Sequence, residues 1–120
     1  RPVITHYSLN VASAAALRAA LADGEYLAWY VDAVSQSRER FYQFCGRHGF
    51  TYWESAANFV LARVGEHATP ITAFLKARGI YIRDKSADPH CPGCIRITTG
   101  TVAATELAIA AMEEYLCGAR

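Results

Sequence analysis

The chain has 120 residues, 52% of them hydrophobic, and a formal net charge of +1 at neutral pH. This length and composition predict one folded domain and exclude a disordered chain. Because the basic residues are dispersed and no apolar run approaches the roughly 20 residues that span a bilayer, neither nucleic acid nor a membrane is expected as a partner.

The sequence opens with Arg1 and Pro2 rather than with Met, which indicates a fragment or a processed product with a natural neighbour upstream. Residues 8–22 are rich in alanine and carry apolar residues at helical spacing. They predict a helix that packs closely against another element, with Ser8 or Asn10 as its N-cap. No signal peptide is recognisable, and we expect a cytoplasmic protein.

A second, longer helix is predicted over residues 25–47, where apolar and aromatic side chains keep to one broad face. Residues 50–53 predict a short edge strand or an extended lead-in, and residues 57–64 predict a clearer strand that is rich in β-formers. The next helix is signalled by Thr69 as the N-cap and Pro70 at the first helical position.

The stretch of residues 79–101 predicts two short strands joined by a polar loop. In residues 80–83 the isoleucines share one face and Arg83 points to the other, and in residues 95–98 Arg96 opposes its isoleucine neighbours in the same way. Two guanidinium groups fixed on the outer face of neighbouring strands would form a receptor for a carboxylate or a phosphate. For either arginine alone a solvated surface position is the simpler interpretation, but the matched placement of the pair favours the anion site.

A final helix over residues 102–116 completes the predicted order α-α-β-α-β-β-α. Strands mixed with helices, with at least one pair joined closely enough to be antiparallel, predict an α/β fold of the α+β two-layer sandwich type. In this fold the helices cover one face of a small mixed or antiparallel sheet. The sequence has no internal repeat, so residues 1–120 are expected to form a single domain.

The four cysteines include a CxxC pair, Cys91 and Cys94, with the spacing of half a zinc site or of a redox pair. No second CxxC or paired histidine accompanies it, and it leads into a strand rather than a helix. A tight turn with Pro-Gly at its corner is therefore favoured, and no metal is predicted. Cys45 and Cys117 are expected to be ordinary core or edge residues with reduced thiols. A free-standing metal module that uses the CxxC pair, His90 and Cys45 is an alternative from another functional class.

Three segments, taken in order, resemble the C-terminal part of histidinol-phosphate aminotransferases, which are fold-type I, pyridoxal-phosphate-dependent enzymes of histidine biosynthesis. The resemblance covers nearly the whole chain and rests on Asn58-Phe59-Val60-Leu61, on Gly79-Ile80-x-x-Arg83-Asp84 and on Ile95-Arg96-Ile97-Thr98-x-Gly100-Thr101. It implies a small domain that folds over the cofactor site of a large domain in the same polypeptide, and a parent enzyme that is a homodimer. Residues 1–23 would be the connecting helix from that large domain.

The resemblance also implies roles for three residues. Arg96 would receive the α-carboxylate of the amino-acid donor and help to hold the phosphate of histidinol phosphate, and Arg83 would contribute to the same anion site. Asn58 occupies a motif position where either a structural role or a ligand contact is open. The implied reaction is amino-group transfer between glutamate or 2-oxoglutarate and a phosphorylated amino substrate.

The sequence departs from this family in what it lacks. A pyridoxal-phosphate enzyme needs a lysine that binds the cofactor covalently. The sequence contains two lysines, Lys76 and Lys85, and neither lies in the serine-rich context that the family uses. The cofactor is therefore expected to be held by the large domain, and this chain alone is expected to be inactive. A threonine-phosphate decarboxylase or another enzyme of the same fold is the alternative parent.

Overall fold

The computed structural model describes residues 10–118 of the chain. It contains four helices, four strands and a one-turn 3-10 helix, Gly65–His67. The helices are α1 Val11–Ala22, α2 Gly24–His48, α3 Ala68–Ala77 and α4 Val102–Gly118, and the strands are β1 Thr51–Trp53, β2 Phe59–Arg63, β3 Arg83–Asp84 and β4 Cys94–Thr98. Residues 1–9, including Ser8 as one of the predicted caps, lie outside the described residues.

The strands form one antiparallel sheet in the order β1-β2-β4-β3. Helices α2 and α3 contact this sheet, and α4 contacts both of those helices. The predicted two-layer fold, a small sheet covered by helices on one face, is confirmed. The predicted order was one strand short, because residues 51–53 pair with β2 as a true edge strand rather than serving as a lead-in.

The hydrophobic core lies between the sheet and its helices. In β2 every second side chain is buried, since successive residues of a strand point to opposite faces, and Ile95 and Ile97 of β4 follow the same pattern. Cys94 at the start of β4 is buried as well. Helices α2, α3 and α4 contribute large side chains that are fully buried. The burial of each such side chain contributes roughly 2–3 kcal/mol of stability. The largest fully buried residues of this core are Phe41, Phe44, Ile71, Leu75, Ile95 and Met112.

Helix α2 begins and ends where its sequence provides caps. The Asp23 side chain accepts a hydrogen bond from the backbone N–H of Tyr26 at 3.0 Å. At the other end Gly49 adopts the left-handed conformation, with φ of 68°, and its N–H bonds to the carbonyls of Cys45 and Gly46. The prediction of a helix over residues 25–47 is thereby confirmed to within one residue at each end.

Helix α1 contrasts with α2 because none of its residues is buried. Its N-cap is Asn10, whose side chain accepts a hydrogen bond from the N–H of Ser13 at 2.8 Å. Asn10 is one of the two residues predicted as caps. Val11 and Leu21 are exposed by 86% and 72%, although both are apolar. No helix within residues 10–118 combines the length and the hydropathy needed to cross a membrane.

The predicted start of α3 was wrong. The helix begins at Ala68, directly after the 3-10 turn, and no side chain caps it. Pro70 is therefore its third residue, which is tolerated because the first turn of a helix leaves its N–H groups without intrahelical partners. The hydroxyl of Thr69 donates instead to a carboxylate oxygen of Asp84 at 2.6 Å.

The strand predicted over residues 80–83 is also shorter than expected, since only Arg83 and Asp84 pair with β4. The N–H of Ile80 bonds back to the carbonyl of Leu75 at 3.0 Å, and Gly79 has φ of 77°. Because Ile80 is still bonded to the end of α3, pairing with β4 starts only at Arg83.

The CxxC segment forms the predicted turn. The N–H of Cys94 bonds to the carbonyl of Cys91 at 3.1 Å, and Gly93 has φ of 67°. The carbonyl of Gly93 accepts hydrogen bonds from the N–H groups of Val64 and Gly65 at 2.9 and 3.1 Å. A Cβ atom on Gly93 would lie 2.8 Å from the Cα of Gly65, so the turn needs glycine here both for its conformation and for the close approach of the two backbones.

We expect Gly93→Ala to lower the free energy of unfolding by about 2–3 kcal/mol, because an alanine would be strained at positive φ and would contact the Gly65 backbone. Urea denaturation followed by circular dichroism measures the change. Gly46→Ala is the matched control, because it lies inside α2 with open space around it and should raise stability by about 0.5–1 kcal/mol. Equal stability of Gly93→Ala and the wild type would contradict the prediction.

Candidate anion-binding site on the open sheet face

Arg83 and Arg96 are directly opposed partners in the antiparallel pair of β3 and β4. Directly opposed residues point to the same face of a sheet, with Cβ atoms about 4.5–5.5 Å apart. The neighbours of Arg96 in β4, Ile95 and Ile97, are buried against the helices, so both arginines lie on the opposite face. The structure therefore brings the two predicted arginines together on one face, as the alternation of the sequence indicated.

We call the sheet face opposite the helices the open face. Its strand residues include three arginines and no carboxylate, and two large aromatic side chains on it remain 43% and 38% exposed, those of Trp53 and Phe59. The residues of the open face are Thr51, Trp53, Phe59, Leu61, Arg63, Arg83, Cys94, Arg96 and Thr98. The face is thus positively charged and partly apolar, while the opposite face carries the core.

The opposed arginines have no acidic partner in the part of the chain that the structure describes. Its ion pairs within 4.0 Å join acidic side chains to Arg40, Arg47, His48, Arg78 and Lys85. Like charges directly opposite each other destabilise a sheet. An anion bound between the two guanidinium groups would remove this repulsion and would gain charge-assisted hydrogen bonds.

Two of the arginines on the open face lie over aromatic rings. The Cζ atom of Arg96 is 5.1 Å from the ring centroid of Phe59, and the Cζ atom of Arg63 is 5.6 Å from that of Trp53. Both distances are within the roughly 6 Å range of cation–π attraction. These contacts could not be predicted from the sequence, because they depend on the register between paired strands.

Asp84 fastens the short strand that carries Arg83. Its carboxylate accepts hydrogen bonds from the N–H of Ser86 at 2.8 Å and from the hydroxyl of Thr69 at 2.6 Å. Hydrogen bonding from the Ser86 side chain, then from the Thr69 hydroxyl and the Ser86 N–H, holds the pKa of Asp84 below its ordinary value, because these bonds favour the charged carboxylate. The N–H of Lys85 also donates to the carbonyl of Cys94 at 2.8 Å, which extends the β3–β4 pairing by one bond.

Asn58 lies in the bend before β2 and is exposed. Its backbone carbonyl accepts from the N–H of Thr99 at 2.8 Å, which continues the pairing of β2 with β4. Alternation along β2 directs Asn58 away from the open face, and the residue lines a cleft of about 230 Å³ with α2 residues that include Tyr30 and Arg38. The structure therefore does not bring Asn58 together with Arg83 and Arg96.

Of the four cysteines, Cys94 lies on the open face of β4, two residues from Arg96. Cys45 and Cys94 are fully buried, Cys91 is half-buried, Cys117 is exposed, and all four thiols are free. Burial raises the pKa of the Cys45 thiol to about 12. Within residues 10–118 there is no group of three His, Cys, Asp or Glu side chains placed to hold a metal ion.

We expect Asp84→Asn to lower the free energy of unfolding by about 1 kcal/mol at pH 7, because the amide keeps one uncharged acceptor oxygen and replaces the other with an NH2 group, which cannot accept the second hydrogen bond. The lowered pKa of Asp84 means that the charged form is favoured in the folded state. Its contribution to stability is therefore present above the ordinary value of 3.8 and is lost as the pH falls through the lower folded value. The difference between the variant and the wild type should shrink in that acidic range.

Urea denaturation at a series of pH values between 7 and the acid limit of folding measures this difference. Thr69→Val should lose part of the same stability, since it removes one donor, and Thr69→Ser should retain it. A difference between Asp84→Asn and the wild type that stays constant with pH would show that the carboxylate charge is not involved.

The chain is similar in sequence to known aminotransferases. The family described as aminotransferase class I and II matches residues 1–112. A histidinol-phosphate aminotransferase of Geobacillus sp. is 36% identical over 107 residues, which are 89% of this chain and 29% of that protein. One of Haloarcula marismortui is 37% identical over 112 residues, 93% of this chain and 30% of that protein.

Among solved structures, a histidinol-phosphate aminotransferase from Sinorhizobium meliloti in complex with pyridoxal 5'-phosphate matches with a TM-score of 0.80 and 31% identity. The match covers 98% of this chain and 33% of that chain. The chain thus spans about a third of the length of the proteins that it resembles. Since the family match covers almost all of the sequence, the chain belongs to the aminotransferase class I and II family.

Proposed function

We propose that this chain is the C-terminal small domain of a pyridoxal-phosphate-dependent aminotransferase of the histidinol-phosphate type, and that Arg83 and Arg96 bind the anionic groups of its substrates. The observation that carries the proposal is the direct opposition of two arginines, without an acidic partner among the described residues, on an open sheet face. The reaction of the whole enzyme would transfer an amino group between glutamate or 2-oxoglutarate and a phosphorylated amino substrate.

The arginine pair suits both kinds of anion in that reaction. A guanidinium group presents its N–H donors as a planar fork that matches the oxygen atoms of a carboxylate or a phosphate. Two forks at neighbouring positions supply enough donors for a phosphate, and one fork alone can hold a carboxylate. In this proposal the pair fixes the charged end of the substrate, and the side chain of Leu61, which lies directly opposite Arg96 in the pairing of β2 with β4, limits the access of water beside it.

The residues of this chain do not fit covalent attachment of pyridoxal phosphate. Lys76 is exposed on α3, and Lys85 pairs with Asp88 in the loop after β3. By strand alternation Lys85 follows Arg83 onto the open face, but its amino group is ion-paired with the Asp88 carboxylate, which disfavours nucleophilic attack on an aldehyde. We therefore assign the cofactor to the large domain of the parent polypeptide and derive no chemical step through it here.

The exposed apolar surface of α1 and of the first half of α2 supports the domain assignment. Val11 and Leu21 of α1, and Leu27, Trp29 and Val31 of α2, are all more than half exposed. Large apolar side chains left exposed in this number are typical of an interface. In the proposal it packs against the large domain, to which residues 1–23 connect, and that large domain forms most of the homodimer contact.

We expect Arg96→Gln and Arg83→Gln each to weaken the binding of inorganic phosphate to this chain by about tenfold, since each removes a charge-assisted donor pair. Titration of the ¹⁵N-labelled chain with phosphate at low ionic strength, followed through the arginine side-chain resonances, measures the dissociation constants. Arg47→Gln is the matched control, because Arg47 already pairs with Glu113 on the helical side and should leave phosphate binding unchanged. Equal losses in all three variants would indicate non-specific attraction and would refute the assigned site.

Pyridoxal phosphate mixed with this chain is expected to form no stoichiometric adduct that borohydride reduction makes permanent. The reason is that Lys76 lies on α3, on the helical side of the sheet, and that the amino group of Lys85 is ion-paired with Asp88. Absorbance spectra and the mass of the reduced protein measure the outcome. A single saturable adduct on Lys76 or Lys85 would contradict the assignment of the cofactor to the large domain, whereas slow, unsaturated labelling of both lysines would not.

A further inference from the structure

We propose that Phe59 is a positioning residue for Arg96, and that its ring holds the guanidinium group where it can bind an anion together with Arg83. This inference rests on the proposed anion site and adds Phe59 to the residues on which that site depends. Phe59 acts through Arg96 and does not itself need to touch the ligand.

The register places the ring beside the guanidinium group. Phe59 pairs with Thr98, and Arg96 lies two residues earlier on the same strand, so Phe59 and Arg96 are diagonal neighbours on the open face. The Cζ atom of Arg96 lies 5.1 Å from the ring centroid. The arginine thus crosses toward β2, the strand on the side away from Arg83.

The core does not explain the presence of a phenylalanine at this position. Phe59 is 38% exposed, whereas its neighbour Val60 is fully buried on the helical side of the same strand. Among the described residues, Phe59 does not belong to the buried cluster or to the partly buried side chains packed against it. Its ring interacts with the guanidinium group of Arg96. A large exposed ring whose neighbour is an arginine without an acidic partner is suited to holding that arginine.

The charges on the open face explain why Arg96 needs such support. Arg83 lies directly opposite, and the repulsion between the two guanidinium groups favours conformations in which one of them turns away into water. A ring attracts a guanidinium group through its face, while the N–H donors lie in the plane of that group. Phe59 can therefore restrain Arg96 and still leave donors for an anion, so that less conformational freedom is lost on binding.

The open face contains a second pair of the same kind, which provides an internal control. Arg63 lies over Trp53 at 5.6 Å, across β1 and β2. Arg63 is paired with Cys94 and Thr51 rather than with another arginine. Removing the Trp53 ring should therefore release Arg63 without affecting the anion site between Arg83 and Arg96.

The experiment is a phosphate titration of the ¹⁵N-labelled 120-residue chain and its Phe59 variants, followed through the arginine Nε–H resonances. Phe59→Leu keeps an apolar side chain but lacks the ring. It should weaken phosphate binding about two- to fivefold, the range expected when an exposed cation–π contact is lost. It should also remove the ring-current shift of the Arg96 Nε–H proton. Phe59→Trp and Phe59→Tyr should bind phosphate as tightly as the wild type.

Trp53→Leu is the matched control and should shift the Arg63 resonance without changing the dissociation constant for phosphate. Thermal unfolding of each variant checks that the fold is retained, which the exposure of Phe59 leads us to expect. Unchanged or tighter binding by Phe59→Leu, or an equal loss in Trp53→Leu, would overturn the positioning role while leaving the anion site in place. Absence of phosphate binding by the wild type would refute the anion site itself, and the positioning role with it.

Discussion

The pairing of β3 with β4 is the interaction on which the candidate site depends. It consists of two residue pairs, Arg83 with Arg96 and Asp84 with Ile95, and the first of these sets two positive charges against each other. A strand of two residues forms too few backbone hydrogen bonds to hold two like charges opposite each other. The loop that follows therefore contributes, through the N–H of Lys85 and through the Asp84 carboxylate, which reaches both Ser86 and the Thr69 hydroxyl.

One face of the sheet packs against the helices, and the other carries the arginines. The helical face buries Val60, Ala62, Ile95 and Ile97 and gives the domain its stability. The open face contributes little to that core, and so its residues can be chosen for charge. This division explains how three arginines can occupy a small sheet without acidic partners among the described residues. It also explains why residues such as Phe59 and Trp53 remain exposed beside them.

The sequence predicted the parts of this arrangement that depend on local pattern. Alternation in residues 95–98 indicated that Arg96 lies opposite the buried isoleucines, and the Pro-Gly corner indicated the turn before β4. Local pattern failed where a distant residue intervenes. Thr69 looked like a helix cap, but its hydroxyl bonds to Asp84, and the strand before Arg83 was overestimated because Ile80 bonds back to α3. The contact between Phe59 and Arg96 depends on a register between strands that are more than 30 residues apart, which no short segment encodes.

The position of β3 at the edge of the sheet has a consequence for folding. β4 pairs with β2 along five residues, but β3 pairs only with β4, and all of α3 lies between β2 and β3 in the chain. Only the loop of residues 85–93 separates β3 from β4, so loop closure alone favours their pairing early, but a ladder of two residue pairs is marginal by itself. The pairing of β3 should therefore become stable only once β2 holds β4 along its five residues. The backbone amide of Arg83 should accordingly exchange with solvent sooner than those of the central strands β2 and β4.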